Sequence, residues 1–174
     1  LAYNDTDNRA DSLDVRTLIE RLEEIESEQT ALVEEYTAAK EKAPEEASER
    51  LCNAINALCS FWDLTPEEID DSVEALSIET DSFHGDEEAY EIREFIEQFR
   101  GAGGDHEWEG SWFPVTFIRD SYFTEYAEEL AEDIGAISKD SPWPACHIDW
   151  EAAASALQQD YTSGEFDGVT YWAR

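Results

Sequence analysis

From Val15 to Tyr36 the chain steps forward by three and four residues alternately, through Val15, Leu18, Leu22, Ile25, Gln29, Leu32 and Tyr36. Residues at that spacing share one face of an α-helix and form a heptad seam of about three repeats. A seam this narrow does not hold a helix in water by itself, because short isolated helices are marginal without tertiary packing. The helix, expected to begin at Ser12, therefore needs a partner, either in its own chain or in a second copy. Pro44 ends the helical pattern, and a proline ring is incompatible with a helix interior. An apolar helix carrying Leu51, Ile55, Leu58 and Trp62 follows at once, which favours pairing within the chain. Gln29, the single polar residue of the seam, is placed to fix its register. The segment before it, residues 1–11, reads as a polar, mobile end.

Beyond the second helix, Thr65-Pro-Glu-Glu68 is a capping box with proline at the first helical position. The short helix it opens turns Ile69, Val73 and Leu76 inward. A polar loop around Asp81 to Gly85 leads to a further helix from about Asp86 to Arg100, with Tyr90, Phe95, Ile96 and Phe99 as its inner face. Gly101-Ala-Gly-Gly104 is the expected linker. Trp108, Trp112, Phe113, Val115, Phe117 and Ile118 then suggest a strand-like apolar stretch. Ser121 is a good N-cap for a helix through Phe123, Tyr126, Ala127, Leu130, Ala131 and Ile134, and Gly135 stands where such a helix ends. Pro142-Trp143-Pro144 reads as a rigid loop. Asp149 caps a last helix striped by Trp150, Ala153, Ala154 and Leu157. Asp167-Gly168 between short aromatic and β-branched runs signals a two-residue β-hairpin. The expected fold is α+β and predominantly α. It comprises an N-terminus over 1–11, an acidic helical region over 12–100, a glycine-rich linker over 101–107 and a small α+β module over 108–174.

The C-terminal pattern resembles the ArdA antirestriction proteins and related phage and plasmid proteins. The residues that carry the likeness are Phe123-x-Glu-Tyr-Ala-Glu-Glu-Leu-Ala, the Ile148-Asp-Trp-Glu-Ala-Ala-Ala helix start, and Asp160-Tyr161 followed by Phe166-Asp-Gly-Val. The likeness covers roughly residues 112–174 and does not extend to 1–111. It implies an acidic protein that imitates the charge pattern of B-form DNA and occupies the DNA-binding cleft of type I restriction–modification enzymes, commonly as a dimer.

Charge points the same way. Forty-four Asp and Glu stand against 11 Lys and Arg, a net charge of −33. Such a chain is repelled by nucleic acid and by anionic membranes, and its natural partner is a basic protein surface. The acids are also unevenly placed. No Lys or Arg lies between Arg50 and Arg93, where twelve acids accumulate from Asp63 to Glu91. Like charges at that density destabilise a fold by self-repulsion. The plainer explanation, acidity as solvation or salt adaptation, stands beside the functional one.

Other chemistries find little support. An odd count of three cysteines argues against a disulfide framework and for a reducing cytoplasm. Cys52 and Cys59 are roughly 10 Å apart along a helix and read as core residues. No apolar run reaches membrane-spanning length, and no signal-peptide pattern opens the sequence. His84, His106 and His147 are scattered. His147-x-Asp149 is a weak metal hint that an N-cap Asp explains without a metal. Cys146 and His147 are adjacent, so their side chains diverge and form no nucleophile–base pair. No enzyme activity, cofactor or metal is expected.

The leading expectation is a DNA-mimic inhibitor in the host cytoplasm, directed at a type I restriction–modification enzyme or at a CRISPR effector, and dimeric through either the seam or the C-terminal module. The carboxylates expected to meet the partner are Asp63, Glu67, Glu68, Asp70, Asp71, Glu74, Glu87, Glu88, Glu91 and Glu94, with Glu125, Glu128, Glu129, Glu132 and Asp133 on the C-terminal module. The alternative is an acidic coiled-coil interaction protein that uses the seam for assembly, without mimicry.

Overall fold

The computed structural model describes residues 9–40, 47–78, 87–138 and 142–174. The expected polar loop around Asp81 to Gly85, the Pro44 break, His84, Glu79, Asp81 and Asp86 lie outside the described residues. The fold is predominantly helical with a small antiparallel sheet. The chain divides into two compact units. One joins Leu1–Ile19 to Glu91–Arg174, and the other is Glu20–Tyr90. This division differs from the boundary expected at 101–107, because the N-terminal strand and the end of the fourth helix pack with the C-terminal sheet.

That first unit is built around four strands in the order β1–β4–β6–β5, every neighbouring pair antiparallel. They are β1 (Ser12–Asp14), β4 (Thr116–Arg119), β5 (Thr162–Phe166) and β6 (Val169–Ala173). A separate ribbon pairs β2 (His106–Trp108) with β3 (Ser111–Phe113). Successive strand residues point to opposite faces, and the sheet uses both. On one face Phe117 of β4 and Tyr171 of β6 meet Phe95, with ring centroids 4.8 and 5.6 Å away, and Phe99 stands 4.6 Å from Phe117. Phe95 belongs to α4 (Glu87–Glu97), and Phe166 completes its aromatic cage at 5.0 Å. On the other face Ile118 and Trp172 pack with Phe123 and Ala127 of α5 (Phe123–Asp133) and Ala154 of α7 (Trp150–Leu157). Burial of one such ring is worth about 1.5–3 kcal/mol, so this doubly covered sheet is the main source of the unit's cohesion.

Several local expectations hold. Asp149 accepts a hydrogen bond from the Ala152 amide at 3.0 Å and caps α7. Asp167 and Gly168 both have positive φ, 45° and 72°, as a two-residue hairpin turn between β5 and β6 requires. Gly135 follows α5 with φ 72°. Others are corrected. Ser12 starts a strand rather than a helix: Leu13 pairs with Phe117, and the Asp14 carboxylate takes the Arg16 amide at 2.9 Å, so α1 (Val15–Lys40) begins three residues later. Ser121 caps nothing; Asp120–Tyr122 form a 3-10 turn, and α5 starts without a side-chain cap. Pro142–Ala145 is a short helical turn, α6, interrupted at Trp143. Gly104 lies against the chain, where a Cβ would come 2.2 Å from the Phe113 carbonyl oxygen.

Within Glu20–Tyr90 the seam of α1 is buried at Leu22, Ile25 and Tyr36, with Gln29 and Leu32 half-buried. Tyr36 joins Ala54, Leu58 and Trp62 of α2 (Ala47–Trp62) and Ile69 of α3 (Ile69–Ile78) in one core. The helix pairing that the seam demands is therefore met inside the chain. At its N-terminal end, Val15 and Leu18 are equally buried in the sheet unit. Cys52 is exposed and Cys59 half-buried, so the expectation of two core cysteines fails at Cys52, where helix phase turns the side chain outward. Tyr90 is likewise 40% exposed rather than inward, and Ile92 takes the inner position on α4. No described helix is long and apolar enough to cross a membrane.

Candidate functional site

The carboxylates sit on helices whose opposite faces are already packed. On α3, Ile69 is buried and Val73 lies against the helical core, while Asp70, Asp71 and Glu74 are exposed. Asp63 follows α2 in a left-handed conformation, φ 51°, and is exposed with Glu67 and Glu68 in the next turn. On α4, Ile92, Phe95 and Ile96 face inward, leaving Glu87, Glu91 and Glu94 in solvent. On α5, Phe123 and Ala127 are buried. Glu125, Glu129 and Asp133 are exposed, and Glu128 and Glu132 half-exposed.

Several of these carboxylates are held by named partners. Glu88 was expected to face solvent, but it is half-buried in a two-bond pair with the Arg21 guanidinium, both at 2.9 Å. The hydrogen bonds from Arg21 hold its carboxyl below the usual range, although partial burial opposes them. Asp70 accepts from the Tyr36 hydroxyl and the Lys40 ammonium, and the Lys40 bond keeps its carboxyl low. Burial, with the Asp70 bond, pushes the Tyr36 phenol up. Glu68 takes the Thr65 amide at 2.9 Å and the Thr65 hydroxyl at 2.6 Å, the reciprocal half of the expected capping box. Glu129 accepts from the Tyr122 hydroxyl at 2.6 Å, and that bond pushes the phenol up to about 12.

Sequence reasoning missed these long-range partners. Arg21 and Glu88 are 67 residues apart, Lys40 and Asp70 are 30 apart, and nothing in spacing links them. Arg93 and Arg100 are held similarly. Arg93 pairs with Glu109 at 3.2 Å and lies over the Trp108 ring, and Arg100 pairs with Glu97 and lies over Phe113. The signal available was local only: the three-residue spacing of Arg21 to Glu24 and of Glu97 to Arg100. The cations thus draw in carboxylates near themselves, and the acidic row of α5 contains no Lys or Arg.

For metals and catalysis, the described residues contain no group of three or more His, Cys, Asp and Glu arranged to hold an ion. Asp149 spends one carboxylate oxygen on the α7 cap. None of the family models, curated proteins or solved structures compared with the chain matches it.

Proposed function

We propose that the protein is a DNA-mimic inhibitor that occupies the basic DNA-binding cleft of a host defence nuclease complex. The observation that carries this reading is the acidic row of α5, raised on a helix whose inner face is fixed by Phe123 and Ala127. From Glu125 to Glu132 four carboxylates are spread over eight residues, seven steps or about 10 Å of helix axis. That is one charge per roughly 3.5 Å, close to the ~3.4 Å per charge along one strand of duplex DNA. Floppy acidic tails offer similar charge, but ordering them on binding costs free energy that a packed helix has already met. The exposed acids Asp63, Glu67, Asp71, Glu74, Glu87, Glu91 and Glu94 supply the second part of the surface.

The likeness of residues 112–174 to the ArdA proteins favours a type I restriction–modification enzyme as the target; a CRISPR effector with a basic DNA channel is the other candidate. Both place the protein in the host cytoplasm. Because the α1 seam is consumed inside the chain, we assign any dimer contact to the C-terminal module. The packing of the α1 seam also weighs against the coiled-coil adaptor alternative.

The deciding experiment is competition for a purified type I enzyme between the protein and duplex DNA. The protein should displace DNA, fail to bind DNA itself, and lose potency as salt rises. Replacing Glu125, Glu128, Glu129 and Glu132 together by Gln should lower inhibition by orders of magnitude while preserving the fold. A folded quadruple variant that inhibits at wild-type concentration in low salt removes α5 from the reading. Inhibition undiminished on enzyme already saturated with DNA removes mimicry altogether.

A further inference from the structure

The β2–β3 ribbon uses its two faces differently. Strand side chains alternate between faces, so His106, Trp108, Ser111 and Phe113 share one side. Glu107 and Trp112 share the other, directly opposite each other in the register. The first side is closed by arginines of the same chain. Arg93 lies 5.2 Å over the Trp108 ring and pairs with Glu109 at 3.2 Å. Arg100 lies 5.7 Å over the Phe113 ring and donates to the Ser111 hydroxyl at 2.6 Å. Each guanidinium is met twice, by an aromatic face and by an oxygen acceptor. These contacts, with the two-residue turn at Glu109 and Gly110 (φ 46° and 73°), fix the ribbon's shape. The second side carries the same two kinds of group and no cation. Trp112 is 52% exposed, and Glu107 is exposed beside it. Neither side chain makes a hydrogen bond, ion pair or ring contact among the described residues. Directly opposed strand residues start with Cβ atoms about 4.5–5.5 Å apart, so one guanidinium can lie over the indole and still reach the carboxylate.

We propose that Glu107 and Trp112 form a docking point for an arginine of the basic partner protein, its guanidinium stacked on the indole and its fork turned to the carboxylate. The planar guanidinium stacks and pairs at once and is weakly hydrated, whereas a lysine ammonium is a compact, strongly hydrated point charge. An apolar group from a partner would cover the indole but leave Glu107 covered and unpaired, which is costly. A second copy, meeting this face with its own, would bring the same two groups and no cation. The field of a chain of charge −33 draws a cationic segment toward the ribbon. This inference rests on the reading above only in taking the partner to be a basic protein, and it names a contact outside the α5 row.

The full chain is titrated with the peptide acetyl-Arg-Gly-Arg-Gly-Arg-amide and with its lysine counterpart of equal charge, in about 0.15 M salt to screen diffuse attraction. The readouts are the Trp112 indole N–H resonance and the backbone amides at positions 107 and 112. The arginine peptide should shift them saturably and bind there at least about threefold more tightly than the lysine peptide, the scale of one exposed cation–π contact. E107Q and W112L should each weaken the arginine peptide at the ribbon by about threefold, while shifts along α5 stay as in the wild type. Both positions face outward, so circular dichroism should be unchanged; if W112L unfolds, W112F, whose smaller ring offers a weaker face, takes its place. Ribbon resonances unmoved by about 10 mM peptide, equal affinity for the two peptides there, or binding indifferent to either substitution overturns the docking point. Sedimentation reads the competing occupant: a wild-type dimer that W112L dissolves gives the ring to a second copy and overturns the proposal. Association that W112L leaves unchanged keeps the face for the arginine. No nuclease is used, so failure here leaves the DNA competition result standing, and failure of that competition leaves the peptide result standing.

Discussion

Replacing Gln98 by Glu tests how the edge of the sheet is closed. β5 is an outer strand, and in its register with β6 the backbone groups of Glu165 point away from the ladder. The Gln98 carboxamide meets them there: its oxygen accepts the Glu165 amide at 2.8 Å, and its nitrogen donates to the Glu165 carbonyl at 3.0 Å and to the Glu94 carbonyl at 3.2 Å. The side chain thus bonds β5 as the peptide group of another strand would, and blunts an edge open to foreign pairing. Q98E keeps the acceptor and sets a carboxylate oxygen against two carbonyl oxygens. One net hydrogen bond is worth about 1 ± 0.5 kcal/mol, and repulsion adds to it. The expected loss at pH 7 is about 1–2 kcal/mol, a fall in Tm of roughly 2–8 °C for a chain this long. Q98A should lose a similar amount through all three bonds, tempered by solvent. Acid separates them. Repulsion raises the folded pKa of the introduced carboxyl above its unfolded value of about 4.3. Its deficit is therefore present above that folded value and fades as pH falls toward the unfolded one, where a protonated carboxyl donates again. Q98A should show no such recovery. Thermal melts at pH 7 and pH 4, with hydrogen exchange at the Glu165 amide, measure both. Equal deficits for Q98E at the two pH values, or unchanged Glu165 exchange in Q98A, would refute the argument.

Asp149→Ala should cost about 0.5–2 kcal/mol, the usual loss of an N-cap, read by denaturant unfolding. Arg21 depresses the Glu88 carboxyl, so the pair stabilises the fold above the ordinary carboxyl value and that contribution fades as pH falls through the folded one. E88Q should accordingly be less stable than wild type at neutral pH, and the gap should close in acid melts. E129Q should bring the Tyr122 phenol down from about 12 toward its ordinary 10, seen by ultraviolet titration; an unmoved phenol would show that Glu129 is not the cause.

Features closed within three or four residues were legible in the sequence, because both partners lie in one short window. The Asp149 cap, the Thr65–Glu68 box, the Asp167-Gly168 turn and Gly135 after α5 are of this kind. The inward stripe of α1 was legible too, since helical periodicity marks which side chains must leave water. The same periodicity does not say what covers them. Ser12–Asp14 continues a helical pattern, yet it pairs as a strand with Thr116–Ile118, more than 100 residues away, because bonding into a covered sheet outweighs weak local preference. Tyr90 and Cys52 satisfy an apolar reading but stand outward, where tertiary packing sets the helix phase. Among the acids, sequence located the carboxylate rows. Only the folded chain decided that Glu88 and Asp70 are committed to Arg21 and Lys40, because an ion pair depends on distance in space and composition carries none.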